Sequence, residues 1–507
     1  MFEQKLPDPA FAAWLDEHVE RCCPSTTAQS AALIDRIRAA GRAQNRAAAA
    51  QLVAIGELFG YRLTRCSETE EWAIDTMEAL AAEVAAALRI SQRAAADKVR
   101  YARALRERLP KVGALFEAGE IGFHAFATIV YRTDLIEDRE VLAAVDAQVA
   151  VKVPLWPSLT KGRLSAQVDR IVVRVDADAV RRRKERAADR DVWIGDVGDG
   201  LSEIHGRLFT PEAQALDARL TALAATVCAH DPRTREERRA DALGALAAGA
   251  DRLGCRCGRR DCAAGKRPAA SPVTIHVIAE HATVSGDGSA PGSILSADGL
   301  ITPELVAELA KSAKLVPLVH PGDAPPEAGY VPSKALADFV RCRDLTCRWP
   351  GCDHPAVHCD VDHTIPYSQG GATHAANLKC YCRTHHLVKT FWGWAEKQLP
   401  DGTLILTSPS GHTYVTTPGS ALLFPSLCHS VGGFPSPEIE PQDYCAERTA
   451  MMPTRRRTRA QDRASRVATE RGHNREERLA RRASREKSWS HSGTAPPPDT
   501  DDEPPPF

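Results

Sequence analysis

At 507 residues, with 43% hydrophobic and 26% charged residues, the chain has room for roughly two to four folded units and is too polar for a membrane-embedded or fibrous protein. Its net charge of −1 hides an uneven distribution: residues 455–487 carry 13 Lys+Arg against 5 Asp+Glu, a basic stretch suited to a polyanionic partner, while the rest is acidic overall. Most of the 15 cysteines cluster with histidine in two places instead of spreading in pairs, and the acidic, proline-interrupted N-terminus does not read as a secretory signal. Metal ligation is therefore expected over disulfides, in a cytoplasmic protein with no membrane span.

Residues 1–27 read as an N-terminal segment and 28–314 as a mainly helical domain. Leu52, Ile55 and Phe59 share one helical face; Ile74, Met77, Leu80, Val84 and Leu88 share another. From Ser91 two or three short helices follow, with Pro110 closing one and Gly119 and Gly122 marking a turn; such pairs mostly pack, although a helix-turn-helix has the same outline. A helix over Leu164–Arg190 ends in the basic run Arg181, Arg182, Arg183, Lys184 and Arg186, read chiefly as a solvated face. The stretch VWIGDVGDGLSEIHGRLF then predicts a hairpin turning at Asp199-Gly200.

Helices resume at Thr210 and lead to Cys255, Cys257 and Cys262, three of the four ligands a structural zinc needs. Cys228, His230 and His276 are candidates for the fourth, and unliganded thiols are the competing reading. Four prolines in Leu315–Ala328 suggest a linker over 315–330. A helix capped by Ser333 opens a module over 331–420, with later strands turning at Asp401-Gly402 and Ser410-Gly411. Residues 430–507, Arg-rich and then Pro-rich, have too few apolar residues to fold and are expected to be disordered.

The chemistry concentrates in residues 341–394. Cys347 and Cys352 in C-x4-C, with Cys382 and His385 in C-x2-H, suit one closed tetrahedral zinc stapling a module too small for its own core. Cys342, Cys359 and Cys380 are left over. Asp362 offers a hard oxygen and His386 a nitrogen for a second, divalent cation, Mg or Mn, while His363 titrates near neutrality and suits a general base. Arg343, Arg348, Lys379 and Lys389 are candidate phosphate contacts, a solvated surface charge being the alternative for each.

Asp362-His363, then Asn377 fourteen residues after that histidine, then His386 nine further, between zinc-ligand pairs, resembles the HNH endonuclease family with its ββα-metal fold. The resemblance implies that His363 activates water, that Asn377 orients this base or helps hold the metal, and that His386 and Asp362 bind a single catalytic cation. His385 stands where many relatives have a second Cys. With ISQRAAADKVRYARALRERLP, FEAGEIGFHAFATI and CRCGRRDC, roughly residues 30–420 resemble actinobacterial HNH proteins whose N-terminal half is a domain of unknown function 222.

The expected fold class is thus α+β: a largely helical N-terminal domain with a short β element, a C-terminal zinc-stapled ββα-metal module and a disordered basic tail. The expected function is metal-dependent cleavage of DNA, with RNA left open as substrate. The alternative is a catalytically silent, zinc-stapled nucleic-acid-binding protein of a repeat or mobile element.

Overall fold

Thr27 starts the long second helix by a reciprocal cap: its hydroxyl accepts from the Ser30 amide, and Ser30 Oγ accepts from the Thr27 amide, both at 3.0 Å. In this computed structural model the described residues are 8–22, 27–65, 69–156, 159–180, 191–198, 200–262, 264, 276–295, 299–311, 313–432 and 451–492. The basic run Arg181–Arg186 therefore lies outside them, as do 433–450 and 493–507 of the expected tail. Among the described residues, no helix is long and apolar enough to cross a membrane.

The N-terminal helices are α1 (Pro9–Cys22), α2 (Ala28–Leu63), α3 (Thr76–Leu88), α4 (Gln92–Arg103), α5 (Pro110–Glu117), α6 (Phe123–Arg132), α7 (Arg139–Lys152) and α8 (Lys161–Val175). Leu52, Ile55 and Phe59 are buried, as their spacing predicts. Pro110 opens α5 as well as following a helix end at Arg108, because its missing N–H costs nothing in a first turn. The next two amides, of Lys111 and Val112, donate to the buried carboxylate of Asp146 on α7 at 2.8 and 3.0 Å. The apolar sides of α5 and α6, including Val112, Phe116, Phe126 and Ile129, are buried, so packing is the reading the structure supports for these short helices.

The basic tail is a helix over much of its length. Helix α15 (Arg459–Ser492; α9–α14 are introduced below) packs in the same compact unit as α2 and α4–α8. Arg459 pairs with Asp75 and Glu78, Arg463 with Asp134 at 3.0 Å, Arg471 with Asp176 at 2.7 Å and Arg478 with Asp178 at 3.0 Å. Asn474 donates to the carbonyls of Asp178 and Val180, and Val467 is buried. Disorder was expected because the segment has almost no apolar content; what that reasoning lacked was the acidic surface that receives it. Each partly exposed pair contributes only about 0.2–1 kcal/mol. Raising salt to about 1 M, where the screening length falls to about 3 Å, should therefore release α15 and speed tryptic cleavage within 455–484, leaving α4–α8 resistant.

The second unit begins with a hairpin, β1 (Asp191–Gly198) with β2 (Leu201–Arg207), at the predicted place; Gly200 takes φ +74° and Asp199 lies outside the described residues. Next come α9 (Thr210–Ala224), α10 (Arg235–Ala247), and a three-stranded antiparallel sheet of β3 (Val277–Ile278), β4 (Gly292–Ile294) and β5 (Gly299–Ile301), with α11 (His281–Ser285) between its first two strands and α12 (Pro303–Ala310) after it. After α13 (Lys334–Asp344), β6 (Asp360–His363) pairs antiparallel with β7 (Leu378–Tyr381), and α14 (Arg383–Phe391) follows. A last antiparallel sheet, β8 (Ala395–Gln398), β9 (Leu404–Thr407) and β10 (Thr413–Thr416), turns at Gly402 and Gly411, both with positive φ.

Two boundaries differ from expectation. The compact units are Met1–Val84, Arg93–Arg182 and Pro453–Phe507 on one side and Ala85–Gln92 with Arg183–Met452 on the other, so the division falls near residue 182 and not at 315. The Pro-rich stretch 315–330 is not a free linker. Leu318 packs on the cluster of Ile278, Leu295, Cys342, Leu345 and Phe424, and the Glu327 amide donates to the Thr373 carbonyl at 2.9 Å. Its prolines stiffen an extended strap along the C-terminal module.

Candidate functional site

The C-terminal module is built around a buried carboxylate. Asp344, at the end of α13, accepts from Arg343 Nε at 2.8 Å, Arg348 Nη1 at 3.2 Å and the Cys380 amide of β7 at 2.8 Å. Arg343 reaches on to the carbonyls of Ala375 and Leu378, and Arg348 to those of Gly402 and Thr416. Both arginines are 2% exposed. The expectation that they hold a phosphodiester is corrected: their donors are committed to joining α13, the β6–β7 pair and the β8–β10 sheet. Lys379, 1% exposed and bound to Asp362 and Glu396, both at 2.9 Å, is likewise enclosed.

Cys347 and Cys352 lie on a turn closed by a Cys347 N–H to His354 carbonyl bond of 2.8 Å. Gly351 in this turn has φ +75°, and a Cβ there would stand 2.7 Å from the Ile90 carbonyl oxygen. Cys382 caps α14, and His385 follows in its first turn. The ligand atoms of Cys347, Cys352, Cys382 and His385 all lie within 4.8 Å of one another, a group that could hold a metal ion such as zinc. Nδ1 of His385 faces Cys347 Sγ at 3.5 Å and Cys382 Sγ at 3.2 Å, while Trp349 stacks on the imidazole.

Its neighbour His386, about 100° around the helix, points to a different cluster. Nδ1 meets Asp360 Oδ2 at 2.8 Å, and Nε2 faces Asp362 Oδ1 at 3.3 Å. Strand alternation explains the pair of carboxylates: Asp360 and Asp362 are two apart on β6 and project to one face, towards α14. Asp362 Oδ2 receives Lys379 Nζ at 2.9 Å and Lys389 Nζ at 3.0 Å. Burial opposes ionisation of Asp362, but the two ammonium charges hold its carboxyl well below the usual range. For His386 burial opposes protonation, and Asp362 and Asp360 outweigh it and raise the imidazole above its ordinary value.

His363, on the opposite face of β6, is enclosed by Tyr330 of the strap, stacked at 5.3 Å, and by Tyr367 at 5.8 Å. Its Nε2 meets Thr373 Oγ1 at 2.9 Å, and that hydroxyl donates to the Gly329 carbonyl at 2.6 Å. With its proton given to Gly329, Thr373 offers His363 a lone pair; Nε2 then carries the imidazole proton and Nδ1 is left to accept one. Burial lowers the His363 pKa.

The side-chain hydrogen bonds of Asn377 reach neither His363 nor the Asp362–His386 pair. Its side chain accepts from the Ile365 amide at 2.8 Å and donates to the carbonyls of Ile365 and Ala372 at 3.1 and 2.9 Å. It thus ties shut the loop that brings Thr373 to His363. Gly371 lets this loop close, since a Cβ there would lie 1.9 Å from the Ile365 carbonyl oxygen. Lys389 links the two halves of the site, bridging Asp362 and the His363 carbonyl at 2.7 Å. Arg383, largely exposed and paired with Asp360 at 3.4 Å, lies at the rim.

Sequence reasoning passed over Asp360, Thr373, Tyr330 and Arg383. Asp360 alone carried a signal, its i, i+2 spacing from Asp362 on a predicted strand. Elsewhere, Cys255, Cys257 and Cys262 are joined by Cys228, one of the three candidates for a fourth ligand, in a second group that could hold a metal ion.

The sequence matches the domain of unknown function (DUF222) over residues 39–344. It is 44% identical over 500 residues to the uncharacterized protein Rv3776 of Mycobacterium tuberculosis (strain ATCC 25618 / H37Rv), covering 93% of each chain. It is 42% identical over 516 residues to the uncharacterized protein Rv2100 of the same strain, covering 94% of this chain and 91% of that one. No solved structure matches. A domain match that runs through the helical units into α13, together with relatives alike over nearly their whole length, places this chain in the DUF222 family.

Proposed function

We propose that the chain is a metal-dependent endonuclease of the HNH type that hydrolyses DNA phosphodiester bonds. The observation that carries this reading is the pairing of Asp362 Oδ1 with His386 Nε2, backed by Asp360 on Nδ1, beside a histidine whose Nδ1 is left free by Thr373. The donor set fits a divalent cation. Asp360 behind His386 favours the tautomer whose Nε2 lone pair faces Asp362 Oδ1, and that oxygen and nitrogen would together hold Mg or Mn. Such a cation, when bound, supplies Lewis-acid stabilisation of the charge on the phosphate oxygens. Only Oδ1 of Asp362 is open to it, because Lys379 and Lys389 occupy Oδ2.

His363 Nδ1 takes a proton from the attacking water; the new bond forms to phosphorus, the bond to the 3′ oxygen breaks, that oxygen takes a proton from solvent to become a 3′-hydroxyl, and a 5′-phosphate results. Asn377 positions the base through its loop. Arg383, largely exposed at the rim, is the side chain placed to meet phosphate, in place of Arg343, Arg348, Lys379 and Lys389, whose charges are held by enclosed partners. Cys347, Cys352, Cys382 and His385 would hold a structural zinc, their four ligand atoms leaving no protein-free position for catalysis.

The competing reading, a silent nucleic-acid-binding module, draws on the two lysines that already neutralise Asp362. Incubating the full chain with plasmid DNA and with an RNA, each with Mg²⁺, Mn²⁺ or EDTA, separates them. Cation-dependent cutting of DNA supports the enzyme; binding without cutting under every condition supports the module; cutting of RNA alone corrects the substrate. Thr373→Val should lower cleavage by about 10–100-fold, the size of effect seen when a functional histidine loses the partner that fixes its tautomer. Thr373→Ser should retain it, with thermal melting of both variants close to wild type.

A further inference from the structure

Two helices that contribute mostly alanine to their interior need something else to hold them together. In the α9–α10 hairpin the buried apolar residues are Leu223, Ala224, Ala242 and Ala245, joined after α10 by Ala250 and Leu253. At about 25 cal/mol per Å² of buried apolar surface, alanine methyls contribute little against the entropy of ordering the chain. Beside this thin core stand four half-buried cysteines from two separate turns: Cys228 after α9, and Cys255, Cys257 and Cys262 after α10.

We propose that Cys228, Cys255, Cys257 and Cys262 form a four-thiolate zinc site that fastens the end of α9 to the turn after α10. It is separate from the cysteine-histidine site of the C-terminal module, and it does not depend on the nuclease reading. Three observations carry it. The four sulfurs lie within 4.8 Å of one another, and Cys228 Sγ is 3.5 Å from Cys255 Sγ. That is far beyond the roughly 2.05 Å of a disulfide and near the edge of about 3.8 Å expected for sulfurs about 2.3 Å from one tetrahedral ion.

Second, the four cysteines come from both of the segments that need joining, Cys228 from the turn after α9 and Cys255, Cys257 and Cys262 from the turn after α10. Gly258 makes the Cys257 turn possible by taking φ +69°.

Third, the two turns are already aligned by polar contacts that do not use sulfur. Arg233 binds Asp231 and Asp241 and donates to the Gly254 carbonyl at 2.6 Å, and Asp231 accepts from the Arg256 amide at 2.8 Å. The Leu253 amide donates to Thr226 Oγ1 at 2.8 Å. These bonds hold the Cys228 turn against the Cys255–Cys262 turn, so the ligands are gathered in advance. All four being sulfur selects zinc over magnesium or calcium.

The test is the zinc content of the full chain, purified without chelator and measured by elemental analysis. Wild type is expected to carry two zinc ions per chain, Cys228→Ser and Cys257→Ser one each, and Cys228→Ser with Cys347→Ser none. Cys228→His guards against simple misfolding: it should keep two metals and, after cobalt substitution, show weaker thiolate-to-cobalt absorption than wild type. Cys342→Ser, outside both groups, should keep two. The proposal is overturned if Cys228→Ser and Cys257→Ser retain the wild-type zinc content, if the wild type holds one zinc that Cys347→Ser alone removes, or if thiol titration shows Cys228 and Cys255 joined as a disulfide.

Discussion

Asp344→Asn should destabilise the C-terminal module by about 3–5 kcal/mol, the cost of leaving buried charges without their partner. The substitution keeps the shape but removes the negative charge shared by Arg343 and Arg348, and places an amide against the Cys380 N–H that Asp344 now accepts. Because those arginines join α13, β7 and the β8–β10 sheet, the loss should appear as one cooperative transition at lower denaturant, with the helices of the other unit melting as before. The pH dependence follows the same charges. Burial alone would raise the Asp344 carboxyl, yet Arg343 and Arg348 hold it below its ordinary value. A depressed folded pKa stabilises the fold fully above the unfolded value, about 3.9, and that contribution is lost as pH falls through the folded one. The wild-type module should therefore lose stability in acid, and Asp344→Asn should lose this part of the dependence.

His363→Ala should reduce DNA cleavage by about 10²–10⁴-fold, the usual contribution of a positioned general base, without loss of zinc. The side chain packs between Tyr330 and Tyr367, away from the cysteine-histidine group, so removing it leaves the metal ligands in place. Equal loss of activity and of zinc would instead make His363 a structural residue.

Much of the candidate site could be read from spacing alone. Cys347, Cys352, Cys382 and His385 converge because each pair lies in one short turn or helix start, and local spacing nearly determines local geometry. Asp362 and His386 meet for a related reason: a hairpin and the helix that directly follows it leave few ways to pack. The failures concern long-range partners. Arg343 and Arg348 look like surface charges until Asp344 and four carbonyls from distant strands and turns enclose them. Residues 455–484 look unfoldable until Asp75, Asp134, Asp176 and Asp178 are set beside them. The Pro-rich stretch reads as a linker, yet Gly329 and Tyr330 reach Thr373 and His363. In each case the sequence shows one member of a pair and not the distance to the other.

The most direct test of the nuclease reading is to incubate purified full chain and its His363→Ala variant with supercoiled plasmid, in Mn²⁺ or Mg²⁺ and again with EDTA. The account predicts nicking by the wild type only with the cation, and almost none by a variant of unchanged zinc content. Absence of nicking with either cation, or equal cutting by His363→Ala, would contradict it.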